Sequence, residues 1–166
     1  MYYSTIKELM MATAHTLVAG AIAFNVRDPI LAPTLALASH FVLDSIPHWD
    51  FGANWRERSK FVTGAFAIID TIIGFGAAYL IYGSKVNFFV LTVSLVFSVL
   101  PDWLEAPWYI FFADPKRIGP KPHATVLEKI CYNFYKLTNR AHSKAPFPWG
   151  VISQAVTVIF FLLLLR

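Results

Sequence analysis

The sequence predicts an all-α integral membrane protein, a bundle of about five transmembrane helices with one further amphipathic helix at the membrane interface. Hydrophobic residues make up 57% of its 166 residues and charged residues 14%, and the mean hydropathy is +0.54. Soluble domains average about 45–50% apolar and about 25% charged residues. The apolar residues also fall in long runs between charged or proline-rich segments, which is typical of several membrane spans. We expect one membrane domain over residues 1–166.

The first two predicted spans cover about residues 3–24 and 30–46. A cleaved signal peptide is the alternative for the first run, because Lys7 precedes it and Ala21-Ile22-Ala23 resembles a cleavage site. We expect no cleavage, since the run is long, contains His15 and is followed at once by another apolar run.

The remaining spans are predicted at about 61–82, 86–104 and 147–165. An amphipathic helix at about 125–139 is predicted between the last two. Its apolar residues recur at helical spacing: Val126, Leu127, Ile130, Phe134 and Leu137. A capping-box signature begins at Thr125. Such a helix is expected to lie in the interface and not to cross the membrane.

The basic residues predict the orientation. With the N-terminus in the cytoplasm, eleven of the fourteen Lys and Arg residues lie on the cytoplasmic side, and only Arg27, Lys85 and Arg166 lie outside. The net charge of +4 therefore indicates topology, and we expect no nucleic-acid partner. The expected location is the inner or plasma membrane, with any active site facing the cytoplasm. The oligomeric state stays open.

The second span ends in a stretch that places four candidate metal ligands within eleven residues, namely His40, Asp44, His48 and Asp50. His40 and Asp44 stand at i and i+4, so on a helix they share one face and can contact one cation. Pro47 ends the helix, and the turn that follows can bring His48 and Asp50 back toward the same point.

Other ionisable residues fall at the cytoplasmic ends of their segments or deeper in the membrane, where such groups are costly and mark functional sites. We expect a single metal site with these ligands: His15, His40, Asp44, His48, Asp70, Asp102 and His142. The alternatives are solvated loop residues and a structural His–Asp pair between helices. Imidazoles and carboxylates without thiolates suit zinc, manganese or iron, so we expect one or two Zn²⁺ ions, with Mn²⁺ as the alternative.

Four motifs resemble those of the predicted membrane-bound metal-dependent hydrolases. They are Ala14-His15-Thr16-Leu17-Val18-Ala19-Gly20, His40-x-x-x-Asp44 with the following Pro47-His48, Leu100-Pro101-Asp102, and Arg140-x-His142-Ser143. That family is similar to zinc-dependent phospholipase C and the single-strand-specific zinc nucleases, whose helical cores bind a zinc cluster. The resemblance implies that six of these residues are ligands: His15, His40, Asp44, His48, Asp102 and His142.

A metal site at the cytoplasmic interface predicts hydrolysis of a phosphoester in the lipid headgroup layer, because such ions activate water and polarise phosphoryl oxygens. Arg140 and Lys144 are expected to neutralise the phosphate charge. Asp50 or Glu105 is expected to act as general base, and the sequence does not choose between them. Phospholipids and polyprenyl phosphates both remain open as the amphiphilic substrate, as does hydrolysis of an amide.

The alternative function is a metal-ion carrier or sensor that uses the same ligands without turnover, and a non-catalytic scaffold is the third. A carrier needs polar residues along a route to the outer face. Beyond Asp70 the third span offers only Thr71, glycines and tyrosines. We therefore expect the hydrolase.

Overall fold

The computed structural model describes residues 12–48, 59–114, 116–117, 119–140, 142–143, 145–146 and 148–165. Across these residues the protein is all-helical and contains no strand, which confirms the all-α prediction. The helices are α1 (Ala12–Val26), α2 (Leu31–Ser45), α3 (Lys60–Tyr82), α4 (Phe88–Pro107), α5 (Val126–Thr138) and α6 (Trp149–Leu164). A π-helical turn, Trp108–Phe112, continues α4.

Helix α1 is the centre of the bundle and packs against α2, α3, α4 and α6. Ten of its fifteen residues are buried, and most of them are small. Two glycines allow this close packing. A Cβ at Gly20 would lie 2.5 Å from a ring carbon of Tyr82, and a Cβ at Gly74 would lie 2.5 Å from Thr16 Oγ1 and 2.8 Å from Thr13 Cα.

Two helical stretches within the described residues are long and apolar enough to cross a membrane. They are Lys60–Tyr82 and Phe88–Phe112, while α1 and α6 are shorter apolar helices. The 23 residues of α3 span roughly 34 Å, more than the ~30 Å of a hydrocarbon core. The predicted arrangement of five spans stays a prediction, and residues 1–11 of the first predicted span lie outside the described residues.

The surface of α3 also differs from that of a helix in a soluble core. Only 11% of its most apolar window is buried. Leu80 is 89% exposed and Phe61 is 84% exposed. A large uncovered apolar surface of this kind indicates contact with lipid or with another protein.

Helix α5 packs one face on α4 and on the π-helical turn. Thr125 Oγ1 accepts a hydrogen bond from the Glu128 N–H at 3.2 Å, which is the bond a capping residue makes at the start of a helix. Cys131 lies in a small core with Trp108. The opposite face is apolar and exposed; its residues are Val126, Leu127, Ile130, Phe134 and Leu137.

Candidate metal centre

His40 and Asp44 form the part of the site that α2 supplies. Both are completely buried, and the i,i+4 spacing places His40 Nε2 3.2 Å from Asp44 Oδ2. Helix α1 crosses α2 at this level, and its His15, also completely buried, lies with Nε2 3.3 Å from Asp44 Oδ1. The His15 and His40 rings stack with their centroids 4.2 Å apart. The Asp44 carboxylate therefore lies between two imidazoles from different helices.

Helix α4 adds Asp102, whose Oδ1 lies 3.7 Å from His40 Nε2. Pro101 is inside this helix and cannot donate a backbone hydrogen bond, yet the helix continues to Pro107. One turn earlier the Ser98 carbonyl lies 2.7 Å from His40 Nδ1. Helix α4 thus contacts both nitrogens of the His40 ring.

His48 and His142 reach the site through a pairing of two loop segments. The Ser143 N–H donates to the Asp44 carbonyl at 2.8 Å, and the Ala145 N–H donates to the His48 carbonyl at 3.0 Å. This pairing places His142 Nδ1 3.6 Å from Asp44 Oδ2 and the His142 ring centroid 5.7 Å from that of His48. The chain after α5 is therefore fixed to the end of α2.

Six residues, in two groups, can hold metal ions. One group is His15, His40 and Asp102, and the other is Asp44, His48 and His142; within each, one ligand atom per residue lies within 4.8 Å of the others. Asp44 approaches residues of both groups, because His15 and His40 belong to the first and His142 to the second. A carboxylate in this position can serve either one shared ion or two neighbouring ions.

The hydrogen bonds of the histidines fix which nitrogen faces the centre. A carbonyl can only accept, so His40 Nδ1 carries the proton that it donates to Ser98. His48 Nδ1 lies 2.7 Å from the Ile46 carbonyl and is protonated for the same reason. In a neutral ring the Nε2 atom then offers its lone pair. Histidines that bind metals are commonly oriented in this way, through a backbone carbonyl bonded to the other ring nitrogen.

Four atoms at the centre have no hydrogen-bond partner among the described residues, although all are buried: His15 Nε2, His40 Nε2, Asp44 Oδ1 and Asp44 Oδ2. Leaving a buried polar group unsatisfied costs about 1–3 kcal/mol, and more for a charged one. A charge-assisted hydrogen bond would bring such atoms to about 2.7–2.9 Å. The spacings of 3.2 and 3.3 Å instead match the ~3.3 Å between two tetrahedral ligands that each lie about 2.0 Å from a zinc ion. The residues therefore fit a divalent cation.

Comparison with known proteins adds nothing to this geometry. No family model, no curated protein and no solved structure matches the chain. The hydrolase resemblance accordingly stays a prediction from the motifs. The interpretation as a metal centre depends on the ligand types, their spacing and their burial.

Asp70 is not brought into either group. Its Oδ2 accepts a hydrogen bond from the Ala12 N–H, and its Oδ1 accepts one from Thr13 Oγ1 at 2.7 Å. Both oxygens are thus bonded to the first described turn of α1. The structure places the Asp70 carboxylate there and not in either ligand group.

Of the three predicted catalytic residues, the structure describes Glu105 and Arg140, and neither belongs to the two groups. Glu105 is 5% exposed, and its Oε2 accepts hydrogen bonds from Thr138 Oγ1 and, at 3.4 Å, from Asn139 Nδ2. Glu105 therefore ties α4 to the end of α5, just before the loop that carries His142. Arg140 is exposed in that same loop. Asp50 lies outside the described residues, as does the Lys144 that was expected to accompany Arg140.

Sequence reasoning missed the groups that orient the ligands. The carbonyls of Ser98 and Ile46 and the Thr138 hydroxyl act on His40, His48 and Glu105, respectively. The two carbonyls carry no signal in the sequence, because every residue has one. Thr138 could have been noticed as a polar residue on the face of α5 that packs against α4.

Proposed function

We propose that the protein is a membrane-integral, metal-dependent hydrolase that acts on a lipid phosphoester at the cytoplasmic leaflet. One observation carries the proposal: the buried Asp44 carboxylate lies 3.2 and 3.3 Å from two imidazole nitrogens, and these atoms have no hydrogen-bond partner among the described residues. Membership in the membrane-bound metal-dependent hydrolases is part of the same proposal and rests on the motifs.

In this proposal His15, His40 and Asp102 hold one cation, and Asp44, His48 and His142 hold a second, with zinc preferred and manganese as the alternative. When bound, a divalent cation supplies Lewis-acid polarisation of a phosphoryl oxygen and a water acidic enough to attack at neutral pH. The protein side chains fix the ligands, exclude bulk water and admit substrate. Asp102 and His142 are the accessible edge, with side chains 16% and 9% exposed.

The preference for an amphiphilic substrate comes from the surroundings of the cluster. Asp44 is the penultimate residue of α2, and Asp102 lies in the last turns of α4, so the site is at the ends of apolar helices. The exposed apolar face of α5 and its lysines Lys129 and Lys136 fit a helix that lies in an anionic headgroup layer. A phosphate at this depth belongs to a molecule whose chains remain in the membrane. Arg140 is available to neutralise it.

Glu105 fits a positioning role. Its carboxylate holds Thr138 and Asn139 at the end of α5, and the chain then leads directly to His142. Asp50 and Glu105 both remain candidates for the general base.

We further propose the five-span topology with the N-terminus inside and the C-terminus outside. Two helices long enough to cross a membrane, two shorter apolar helices and the asymmetry of Lys and Arg support it. A reporter fused to the C-terminus should behave as an external domain. A cytoplasmic signal from that reporter would contradict the topology.

The function is tested in two steps with purified protein. Elemental analysis after zinc supplementation should find one or two zinc ions per chain in the wild type and in His123→Ala, a control histidine that is exposed and outside the cluster. His40→Ala should lose at least the ion of the His15, His40 and Asp102 group. A wild-type protein without bound metal would end the proposal.

The second step is incubation of the metal-loaded protein with a panel of phospholipids and polyprenyl phosphates, followed by mass spectrometry. Product should form with the wild type and with His123→Ala and should disappear on chelation or in His40→Ala. Product that persists in the chelated sample would assign the activity to something other than this site.

A metal-ion carrier or other metal-binding membrane protein without turnover is the second candidate. One observation favours it: four of the six ligands are at most 1% exposed, namely His15, His40, Asp44 and His48. Catalytic zinc sites usually keep one position open to water or substrate. Uptake of zinc into sealed vesicles that contain the protein would favour the carrier, and hydrolysis without uptake would favour the enzyme.

A further inference from the structure

A groove lies directly beside the cluster, between the start of α1, the first half of α3 and the end of α4. It encloses about 110 Å³, and its walls are almost entirely apolar. Small residues on both sides make room for it, including Gly64 and Ala67 on α3 and Ala106 on α4. Trp103 and Ile110 supply larger apolar surfaces.

The groove lies between two places where α3 contacts α4 and the π-helical turn that continues it. Near the far end of this helix pair the Tyr79 and Thr92 hydroxyls are hydrogen bonded at 2.6 Å, and the Tyr79 ring stacks on Phe88. At the other end α3 contacts the π-helical turn, and between these two contacts a Cβ built at Gly64 meets no atom of the described residues within 4 Å. The two main walls belong to α3 and α4, the helices that are long and apolar enough to cross a membrane. If these helices cross a membrane, the groove opens toward lipid.

Three carboxylates line the groove, namely Asp70, Asp102 and Glu105. Asp102 is both a groove residue and a member of the first ligand group. The other two carboxylates that line it already accept hydrogen bonds, Asp70 from α1 and Glu105 from α5. Lys60 lines the groove ten residues before Asp70 on α3, away from the Asp102 end.

We propose that this groove binds the hydrocarbon chain of the substrate, with the phosphate held at the Asp102 end. The inference rests on the proposed function, because it assigns the chain of a lipid whose headgroup reacts at the cluster. Dry apolar cavities of about 150 Å³ bind a molecule as large as benzene. A volume of about 110 Å³ therefore suits the first few carbons next to the phosphate and not a whole lipid tail.

The test uses alkyl phosphonates, which bind as phosphate analogues but cannot be hydrolysed at the C–P bond. Metal-loaded protein in nanodiscs is titrated with methyl to hexyl phosphonate, and empty nanodiscs correct for partition into lipid. Gly64→Leu fills the groove. Gly76→Leu adds the same side chain to the same helix, also into open space but away from the groove, and is the matched control.

The wild type and Gly76→Leu should bind hexyl phosphonate at least about tenfold more tightly than Gly64→Leu does, since each methylene withdrawn from water is worth about fourfold. The three proteins should bind methyl phosphonate equally. Equal affinities of the three proteins for hexyl phosphonate would overturn the inference, and so would the absence of binding of every phosphonate.

Turnover is measured separately with a short, water-soluble phosphoester. A chain-length effect that is sensitive to Gly64→Leu, without any turnover, would support the groove and contradict the hydrolase. Turnover without a chain-length effect would support the hydrolase and contradict the groove.

Discussion

Replacement of Asp44 by asparagine separates a metal centre from a structural His–Asp pair. The substitution keeps the shape of the side chain but removes the charge that lies between His15 and His40. If the cluster binds zinc, Asp44→Asn should lower zinc affinity by at least about 100-fold, since changing residues that only orient a ligand already costs about 10–100-fold. Asp44 approaches both ligand groups, so the loss should affect all bound metal.

The expected loss of zinc affinity can be measured as a change in melting temperature. Zinc at about 100 times its Kd stabilises the folded state by about 2.7 kcal/mol, which for a chain of this length raises Tm by about 5–11 °C. Chelation should therefore lower the Tm of the wild type by this amount, and the same zinc concentration should raise the Tm of Asp44→Asn by at most about 2 °C. His123→Ala should respond to zinc as the wild type does.

If Asp44 and the histidines form a structural ion pair without metal, the Tm values follow a different pattern. Breaking a buried ion pair costs about 3–5 kcal/mol whether or not zinc is present. Thermal unfolding in detergent, with zinc and with chelator, distinguishes the two. The metal interpretation would be refuted if the wild-type Tm were the same with zinc and with chelator, and if Asp44→Asn lowered the Tm equally in both conditions.

Three further predictions concern single positions. If the two ligand groups hold separate ions, elemental analysis should show that Asp102→Asn and His142→Ala each lose one of two zinc ions, whereas loss of all zinc in either variant would indicate a single shared ion. Glu105→Gln should weaken zinc binding about tenfold in a chelator competition, because it loosens the loop that carries His142, and an unchanged affinity would remove the positioning role. Gly74→Ala should destabilise the fold by about 1–3 kcal/mol in thermal unfolding, since its Cβ would lie 2.5 Å from a threonine hydroxyl, and Gly76→Ala, which meets nothing within 4 Å, should not.

The parts of the site that the sequence could predict are those set by local geometry. His40 and Asp44 are one helical turn apart, and that spacing alone fixes their proximity on any regular helix. The contact of His15 with Asp44 depends on how α1 packs on α2. The sequence indicated that His15 and Asp44 each need a partner, because ionisable groups inside apolar segments are costly. It did not indicate that the two side chains contact each other.

Asp70 shows how that same reasoning can find a partner of the wrong kind. A carboxylate in an apolar helix needs hydrogen-bond donors, and the sequence led us to expect a metal site to meet this need. The structure meets it with the Ala12 N–H and the Thr13 hydroxyl.

The loop pairing that brings His142 to Asp44 could not have been predicted from local pattern. It depends on backbone bonds between segments about 100 residues apart, such as Ser143 N–H to the Asp44 carbonyl. Such bonds join backbone N–H and C=O groups, which residues of different types share, and so the sequence does not predict them. The fourth span was predicted to end at about residue 104, and α4 continues through Pro101 to Pro107, since neighbouring segments can satisfy the backbone groups that a proline frees.

The choice between enzyme and carrier depends on how many sides of the cluster are accessible. On the side of Asp102 the groove reaches the ligand group directly. On the opposite side α1 and α4 continue with Val18, Leu91 and Leu95, each completely buried. A carrier must admit its ion from one face and release it at the other, and this requires polar groups along the second half of the path. Within the described part of the bundle that half is mostly apolar, with Ser94 as a completely buried polar residue between Leu91 and Leu95. A hydrolase needs only the single entrance beside Asp102.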